Sequence, residues 1–435
     1  MLNFAPSFNL FLLYAFLIIG FPFPSFSQNI QQFSFNEEAL SEAGFEVFPA
    51  NGMNRSEVFL GPIPVDELGR EWSDGRGLQF LLEPGEGSII FGPIIETDSS
   101  PVLIRVSVRV DKAGASLFAG AFDADYSGSL GLNQLLEGDF MVDQYVRFRS
   151  LYRPQTGRLV PFYQAAHNGQ MGETISVFID NMEVIPITDT MIPADDLSHS
   201  IRDLLNMDLN AATLPGSGNR TLIPFDGGTI SELGFIENSS TGFASGRYQL
   251  GPVPSDASGL YSDGMGLNVT VALRQGSLFF GPYISAVSRP VMIRASVRSS
   301  GPGAWLFLGG LNAWRERDVQ HLDGSLAYGS YFKSEEFADD YQRVVCWYTP
   351  PRNGIVPFFQ VAHGGDPQYA NVTVSFDNLE IIPLTDTEIP LSMTNVRELL
   401  GVEETFSFTE EQESILDPEA PEIELYNPPA NTTNT

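Results

Sequence analysis

The chain has 435 residues, 43% of them hydrophobic, and a formal net charge of −31 at pH 7. So acidic a chain repels nucleic-acid phosphates and anionic lipid headgroups, which argues against both as partners. A single cysteine, Cys346, excludes an intrachain disulfide and a zinc site built from several cysteines.

The N-terminus, residues 1–27, is predicted to be a signal peptide. Its apolar run, Leu10–Ile19, is too short to span a bilayer comfortably, and small residues follow at Ser25 and Ser27. No Lys or Arg precedes the run, so a buried or membrane-anchoring helix is the alternative. We expect a protein exported to the periplasm, the cell surface or the medium, with no further membrane span.

The sequence contains one domain-sized unit twice. Ser73–Leu78 returns as Ser262–Leu267, and Val160–His167 returns as Val356–His363. The unit is far longer than a solenoid repeat, whose period is roughly 20–50 residues. Two tandem globular domains are therefore predicted.

Predicted boundaries follow from the repeat and from changes in composition. A helix-like stretch at Ile201–Leu205 is followed by a linker rich in Gly and Pro, and a similar stretch closes the second copy. The final residues are acidic and contain no Lys or Arg, which is typical of disorder. The divisions are copy one at 28–200, the short helix and linker at 201–221, copy two at 222–400 and an acidic disordered tail at 401–435.

Hydrophobic residues recur with a period of two. In Val102–Val110 the even positions are Val or Ile, while Arg105, Ser107 and Arg109 alternate with them. Gly-Pro pairs separate many such short stretches. The pattern predicts an all-β protein made of two tandem antiparallel β-sandwich (jelly-roll) domains, with a short helix after each as a further expectation.

Three segments of each copy resemble the carbohydrate-binding modules of the galactose-binding-like jelly-roll type, near families 4, 9 and 22. In copy one they are the polar-faced strand Leu103–Arg109, the segment Asp143–Phe148 and the final strand Val177–Val184 with its apolar-Asp-Asn-apolar pattern. Copy two matches at the corresponding places. The resemblance implies the jelly-roll fold and glycan binding.

Aromatic and planar polar residues recur at equivalent positions of both copies. A flat ring covers the apolar face of a sugar, while Arg and Gln offer fixed donor geometry to paired hydroxyls. We expect them to form a mixed ring-and-guanidinium surface that faces solvent. The alternative is that the rings belong to the core and the arginines balance acidic neighbours across the sheet. The candidate ligand-binding residues are Trp72, Arg105, Tyr145, Arg147 and Gln164 in copy one and Tyr261, Arg294, Tyr341, Arg343 and Gln360 in copy two.

Asp180 and Asp377 fall on apolar faces of the final strands, where an unpaired carboxylate is expensive. The resemblance implies a structural calcium ion at each, shared with an oxygen donor from Asn36, Glu37 or Asp226. The alternative is a carboxylate satisfied by an arginine or by backbone N–H groups.

These features favour an exported, non-catalytic glycan-binding protein, whose partner is a polysaccharide or other glycan. No nucleophile elbow, zinc-protease motif or phosphate loop occurs in the sequence, and two linked weak binders gain avidity on an extended polymer. The alternative is a structural or adhesive extracellular protein that binds no sugar. A glycoside hydrolase or lyase with paired carboxylates is a less favoured third class.

Overall fold

The structure is a computed structural model. It describes residues 31–33, 35, 39–50, 53–67, 72–97, 100–123, 133–137, 141–152, 154, 157–167, 172–189, 191–192, 201–202, 205, 221–239, 243–256, 261–285, 290–312, 327–338, 340–348, 354–363 and 371–402. The predicted signal peptide and nearly all of the predicted tail lie outside these residues.

Both copies consist almost entirely of strands. Those of copy one are β1 (Gln31–Phe33), β2 (Glu46–Pro49), β3 (Glu57–Pro62), β4 (Arg76–Leu82), β5 (Gly87–Phe91), β6 (Ile95–Glu96), β7 (Val102–Val110), β8 (Ala115–Asp123), β9 (Asn133–Glu137), β10 (Val146–Tyr152), β11 (Arg158–His167) and β12 (Ile175–Pro186).

The strands of copy two follow in the same order, with one described α-helix after them. They are β13 (Thr221–Ile223), β14 (Ile236–Ser239), β15 (Arg247–Pro252), β16 (Met265–Ala272), β17 (Gly276–Phe280), β18 (Ile284–Ser285), β19 (Val291–Ser299), β20 (Trp305–Asn312), β21 (Ala327–Lys333), β22 (Gln342–Tyr348), β23 (Gly354–Ala362) and β24 (Asn371–Pro383), and the helix is α1 (Thr394–Leu400). Residues 201–202 are also helical.

Each copy has a six-stranded antiparallel sheet of its own, which we call its back sheet. In copy one the order is β10-β7-β12-β4-β3, with β1 on β12; in copy two it is β15-β16-β24-β19-β22, with β13 on β24. The remaining strands of both copies form a single sheet, which we call the shared sheet. The predicted all-β class with two antiparallel sandwiches is confirmed.

The shared sheet is twelve-stranded and crosses from one copy to the other. Its order is β14-β17-β23-β20-β21-β9-β8-β11-β5-β2, with β18 on β23 and β6 on β11. The junction is the antiparallel pair β21–β9, in which Tyr328 lies opposite Leu136 and Tyr331 lies opposite Asn133. Both edge strands that the two copies would otherwise expose are therefore paired.

The cores lie between the shared sheet and the two back sheets. In β7 the residues at even positions, such as Val106 and Val108, enter the core, and the polar residues lie on the outer face of the back sheet. Tyr163 and Ala165 of β11 enter the core from the shared sheet. Alternation thus leaves Phe162 and Gln164 on the outer face of the shared sheet.

A second apolar cluster, which we call the junction cluster, joins the copies on the other side. It contains Leu103 and Leu151 of copy one, Met292 and Trp347 of copy two, and Leu399 of helix α1. The helix ends at Gly401, whose φ of 67° is left-handed and suits glycine. No helix in the described part of the chain is long and apolar enough to cross a membrane.

Candidate functional site

The ten predicted ligand-binding residues lie on two different surfaces. Eight of them are on or beside the outer faces of the back sheets, while Gln164 and Gln360 are on the outer face of the shared sheet. The sandwich separates the two groups. They therefore cannot all converge on one ligand within a copy.

Trp72 and Tyr145 pack together on the back sheet of copy one. With Ile63 and Phe178 they form a small apolar cluster, in which Trp72 is 7% exposed and Tyr145 is 1% exposed. The Tyr145 hydroxyl donates a hydrogen bond to the Pro64 carbonyl oxygen at 2.7 Å, and burial raises the pKa of this hydroxyl to about 12. The expectation that these rings face solvent is wrong for copy one, because Trp72 and Tyr145, which both lie outside the strands, cover each other.

Copy two has the equivalent pair of rings, Tyr261 and Tyr341, but Tyr261 is more exposed than Trp72. Tyr341 is buried, and burial raises the pKa of its hydroxyl. Tyr261, which replaces Trp72, is half-buried, and the Arg343 guanidinium lies 5.3 Å from its ring centroid. This cation–π contact occupies one face of the ring, so Tyr261 offers less surface than the sequence suggested.

The predicted arginines form ion pairs within the back sheets. In copy one Arg105 Nε donates to Glu183 Oε2 at 2.5 Å, and Arg147 pairs with the same carboxylate oxygen. Burial alone would raise the pKa of Glu183, but the two guanidinium groups outweigh it and hold that pKa below its usual range.

In copy two Arg294 pairs with Glu380 and is 1% exposed. The alternative that arginines balance acidic neighbours across the sheet therefore describes Arg105, Arg147 and Arg294. Contact of these residues with a ligand stays a prediction.

Gln164 lies in a different setting, on the outer face of the shared sheet. It is 7% exposed, and among the described residues its Nε2 atom has no hydrogen-bond partner. A buried amide donor without an acceptor costs free energy that a bound hydroxyl would recover. Gln360 occupies the equivalent position of copy two and is half-buried.

Phenylalanine rings surround these two glutamines. Phe91 and Phe162 lie 6.3 Å apart by ring centroid in copy one, and Phe307 and Phe358 lie 5.3 Å apart in copy two. The innermost rings, Phe162 and Phe358, are buried, whereas Phe91 is half-exposed and Phe48 at the sheet edge is 39% exposed.

Sequence reasoning missed these rings. The available signal was the repeat itself, because Phe162-Tyr163-Gln164 returns as Phe358-Phe359-Gln360 and a period of two puts the first and third residues on one face.

Asp180 and Asp377 are buried, and their carboxylates accept hydrogen bonds from backbone amides and from the hydroxyls of Ser73 and Ser262. The Asp180 carboxylate accepts hydrogen bonds from the backbone N–H of Asn181 at 2.7 Å and of Asp74 at 3.1 Å. The Asp377 carboxylate accepts from Asn378 at 2.6 Å and from Asp263 at 3.3 Å. This is the backbone-satisfied arrangement that the sequence left open as an alternative to calcium.

Burial raises the pKa of both carboxyl groups, to about 6 for Asp180 and about 7 for Asp377. Hydrogen bonds from the Ser73 and Ser262 hydroxyls and from neighbouring amides oppose this shift without cancelling it. A buried carboxyl group with a raised pKa would be stabilised in its ionised form by a nearby cation.

The surrounding donors are oxygen atoms, which suit calcium better than a transition metal. Ser107 and Ser296 lie in register opposite Asp180 and Asp377, and their hydroxyl oxygens are buried without a partner among the described residues. The pKa of Asp226 is raised by partial burial and by the charge of Asp263, and the charge of Asp263 also raises the pKa of Asp377.

The described residues nevertheless contain no group of three or more His, Cys, Asp or Glu side chains arranged to hold a metal. Asn36 and Glu37, the predicted donors of copy one, lie outside the described residues. Calcium therefore stays a prediction.

No family model and no curated protein matches this chain. Among solved structures it is similar to the N-terminal tandem of family 22 carbohydrate-binding modules of Xyn10C from Paenibacillus barcinonensis, at 11% identity and a TM-score of 0.27, covering 83% of this chain and 99% of that one. It is also similar to the family 11 carbohydrate-binding module of the cellulase Lic26A-Cel5E from Clostridium thermocellum, at 11% identity and a TM-score of 0.25, covering 39% of this chain and 97% of that one.

A further similar structure comes from work on carbohydrate-binding modules of the β-sandwich superfamily, at 10% identity and a TM-score of 0.28, covering 76% of this chain and 98% of that one. At this level the likeness carries no information on a ligand. The chain resembles carbohydrate-binding modules of the galactose-binding-like jelly-roll type, in two tandem copies.

Proposed function

We propose that this protein binds a glycan without chemically changing it, through the outer face of the shared sheet. The observation that carries the proposal is Gln164, a buried amide whose Nε2 atom has no hydrogen-bond partner among the described residues and which lies beside phenylalanine rings. Gln360 occupies the equivalent position of copy two and is half-buried. Rings cover the apolar C–H faces of sugars, and amides address their hydroxyls, so the two residue types together suit this ligand.

Charge narrows the class of glycan. The chain carries a formal net charge of −31, so a polyanionic polysaccharide would be repelled at physiological ionic strength. A neutral polysaccharide is the ligand class that fits both the charge and the mixture of rings and amides.

The proposed binding surface is not the one that the sequence suggested. Trp72 and Tyr145 are buried, and Arg105, Arg147 and Arg294 are engaged with glutamates. Burial of those rings favours the rival reading, a structural or adhesive protein, for the back sheets. The shared sheet is the surface on which glycan binding depends.

The test is retention of the full chain on a panel of insoluble or gel-embedded neutral polysaccharides, namely xylan, mixed-linkage glucan, galactan and mannan. The variant Gln164→Ala with Gln360→Ala is expected to lose retention at least about tenfold, since it removes hydrogen bonds in a largely desolvated setting.

The matched control is Gln79→Ala with Gln249→Ala, two glutamines on the outer faces of the back sheets. It is expected to retain the wild-type affinity. Melting curves of both double variants report whether the fold is intact. Absence of retention of the wild-type chain on every polysaccharide would overturn the proposal, as would equal losses in the two double variants.

Export and a calcium-dependent fold belong to the same proposal. Export is supported by the apolar run and small residues of 1–27, and calcium by the buried oxygen-rich settings of Asp180 and Asp377. Export is tested by mass determination of the secreted chain, which should begin near Gln28.

A further inference from the structure

The two edge strands on one side of copy two leave a cavity between the sheets. There β14 is the edge strand of the shared sheet, and β15 is the edge strand of the back sheet. The cavity has a volume of about 550 Å³, which is within the usual range of pockets for small ligands. Its lining includes Thr229, Ile230, Phe235, Glu237, Tyr248 and Leu250.

Glu237 and Tyr248 lie on the core-facing sides of these two edge strands. Glu237 is opposite Phe279 in the β14–β17 pair, and Tyr248 is opposite Val269 in the β15–β16 pair. Phe279 and Val269 are core residues, and residues directly opposite each other in an antiparallel pair share a face. The rings of Tyr248 and Phe279 meet edge to face, with their centroids 5.3 Å apart. A carboxylate and a phenol ring therefore flank the same opening into the sandwich.

Copy one has apolar residues at these two positions. Val47 and Val58 are the equivalents of Glu237 and Tyr248 in the repeat, and both pack against the core. The same edge of the sandwich thus forms with a pair of valines. Because the fold does not require a carboxylate or a ring here, the pair in copy two is suited to binding rather than to folding.

The carboxylate of Glu237 offers an unused acceptor. Its Oε1 atom is buried, and within the part of the chain that the structure describes no group donates a hydrogen bond to it. Burying a carboxylate oxygen without a donor costs free energy, which a donor on a bound molecule would recover. Tyr248 is 41% exposed, so its ring is accessible to such a molecule.

The charges around the cavity favour a cation. Glu232 Oε2 accepts a hydrogen bond from the backbone N–H of Thr229 at 2.7 Å, which places a second carboxylate beside the lining. Alternation directs Arg247 to the opposite face of β15 from Tyr248. The whole chain carries a formal net charge of −31, which attracts cations to its surface, and the face of an aromatic ring attracts them further.

The apolar part of the lining and the single enclosed acceptor define the rest of the ligand. Ile230, Phe235 and Leu250 supply hydrocarbon surface, on which a methylene stem can lie as the stem of lysine does. The enclosed acceptor is one atom, Glu237 Oε1. A compact ammonium group suits one acceptor, whereas a guanidinium group is best held by both oxygens of a carboxylate.

We propose that this cavity binds a primary alkylammonium group. The ammonium lies between the Glu237 carboxylate and the Tyr248 ring, and its methylene stem lies on the apolar lining. This site is separate from the outer face of the shared sheet, and it does not depend on the proposed glycan binding. The same chemistry occurs in a lysine side chain of a partner protein and in a free diamine.

The test is a ligand-observed NMR titration of the full chain with pentylammonium and with pentanol, the matched probe without a charge. Pentylammonium is expected to bind at least about fivefold more tightly, because only the charged head group gains from the carboxylate and the ring. Raising the salt concentration from about 0.05 M to about 0.5 M should reduce this preference.

Two further probes distinguish the sources of the ligand. Tighter binding of Nα-acetyl-lysine amide than of diaminopentane would support a lysine side chain as the natural ligand. The reverse order would support a free diamine.

Variants assign the preference to the two side chains. Glu237→Gln keeps the size of the side chain and removes its charge, so pentylammonium should then bind no more tightly than pentanol. The matched control is Glu46→Gln, which removes one exposed charge from the edge strand of copy one and should keep the wild-type preference. Tyr248→Phe retains a ring and should keep the preference as well, whereas Tyr248→Leu should weaken binding of pentylammonium roughly threefold.

The variant Glu237→Val introduces the residue of copy one and reports on folding. Its melting temperature is expected to equal or exceed that of wild type, since it removes a buried acceptor without a donor. A lower melting temperature would show that the carboxylate supports the edge of the sandwich, and would overturn the proposal. Absence of pentylammonium binding, equal affinity for pentylammonium and pentanol, or a preference that survives Glu237→Gln would overturn it too, and none of these results bears on glycan binding.

Discussion

Arg149 and Leu399 connect the two copies across 250 residues of sequence. The Arg149 Nε atom donates a hydrogen bond to the carbonyl oxygen of Leu399 at 3.0 Å, in the last turn of helix α1. The last carbonyl groups of a helix have no partner within the helix, and they carry the negative end of its dipole. A buried guanidinium of copy one therefore completes the C-terminus of the helix that follows copy two.

The variant Arg149→Leu should destabilise the junction. It leaves the Leu399 carbonyl without this donor in a buried setting, at a cost of about 1–3 kcal/mol in the free energy of unfolding. Urea unfolding followed by tryptophan fluorescence is the measurement, because Trp347 lies in the junction cluster. The control is Arg158→Leu, which removes a guanidinium paired with Glu96 at the surface and should change stability by less than about 1 kcal/mol. Equal effects of the two variants would show that the hydrogen bond contributes nothing.

Gly401 is predicted to be the least replaceable glycine beside the junction. A Cβ atom there would lie 2.5 Å from the Arg149 Cζ atom, and the left-handed φ of 67° disfavours any side chain. Gly85 is a matched control, since its φ is 82° and a Cβ atom would meet nothing within 4 Å. Both alanine variants incur about 1 kcal/mol for the left-handed backbone, and Gly401→Ala adds the contact with Arg149.

The measurement is again the free energy of unfolding, from denaturant curves of the two alanine variants side by side. Gly401→Ala should lose at least ~1 kcal/mol more than Gly85→Ala. Identical losses would mean that the guanidinium moves aside without cost.

The all-β fold followed from the sequence, because the alternation in Val102–Val110 defines which side chains enter the core. The same alternation identified residues that share an outer face, such as Arg105 with Arg109. Alternation does not say what covers an outer face. Trp72 reaches its place from a loop, so its burial against Tyr145 depends on tertiary packing that a period of two does not reveal.

The shared sheet was beyond sequence reasoning for a related reason. Pairing of β9 with β21 joins edge strands of different copies, and no local pattern specifies the partner of an edge strand. Gln164 and Gln360 were identified from the repeat, but their separation from the arginines by a whole sandwich was not.

The buried ion pair of copy two gives a third prediction. Arg294 and Glu380 side chains are 1% and 2% exposed, so Glu380→Gln leaves a buried guanidinium without its carboxylate, at a cost of about 3–5 kcal/mol. Replacing both partners with apolar residues, Arg294→Met with Glu380→Leu, should recover most of that loss. Thermal and urea unfolding of the single and double variants give the comparison.

Copy one supplies the internal control for that experiment. Glu183 and its partners Arg105 and Arg147 keep 11–12% exposure, so water partly replaces the lost carboxylate in Glu183→Gln and the cost should be smaller. A larger loss in copy one would mean that the pairing of two arginines with one glutamate outweighs burial.

The raised pKa of Asp377 predicts that the free energy of unfolding decreases from acid to neutral pH. Burial raises its pKa in the folded protein to about 7, from an ordinary value of 3.8. Between these values the folded state holds a proton that the unfolded state has released, so the free energy of unfolding decreases as pH rises through this window. Asp180, with a pKa of about 6, contributes in the same direction.

The comparison that isolates this effect is wild type against Asp377→Asn in the presence of a chelator. Relative to wild type, the variant should gain on the order of 1–2 kcal/mol between pH 5 and pH 8, because it has no charge to bury. Subtraction removes the contribution of every other titrating group. A difference that stays constant with pH would show that the Asp377 carboxylate is not buried in a charged form.

Bound calcium would reverse this pH dependence, so stability measured against pH distinguishes a protein with calcium from one without it. A calcium ion at Asp180 and Asp377 stabilises the ionised carboxylates, so binding should strengthen as pH rises through 6 to 7 and then level off. Chelation is then expected to lower the melting temperature at pH 8 and to have little effect at pH 5, where the carboxylates are protonated. The double variant Asp180→Asn with Asp377→Asn should abolish the response. A melting curve that chelator leaves unchanged at pH 8 would rule out structural calcium, and the two carboxylates would then be held by neighbouring backbone amides and by the hydroxyls of Ser73 and Ser262.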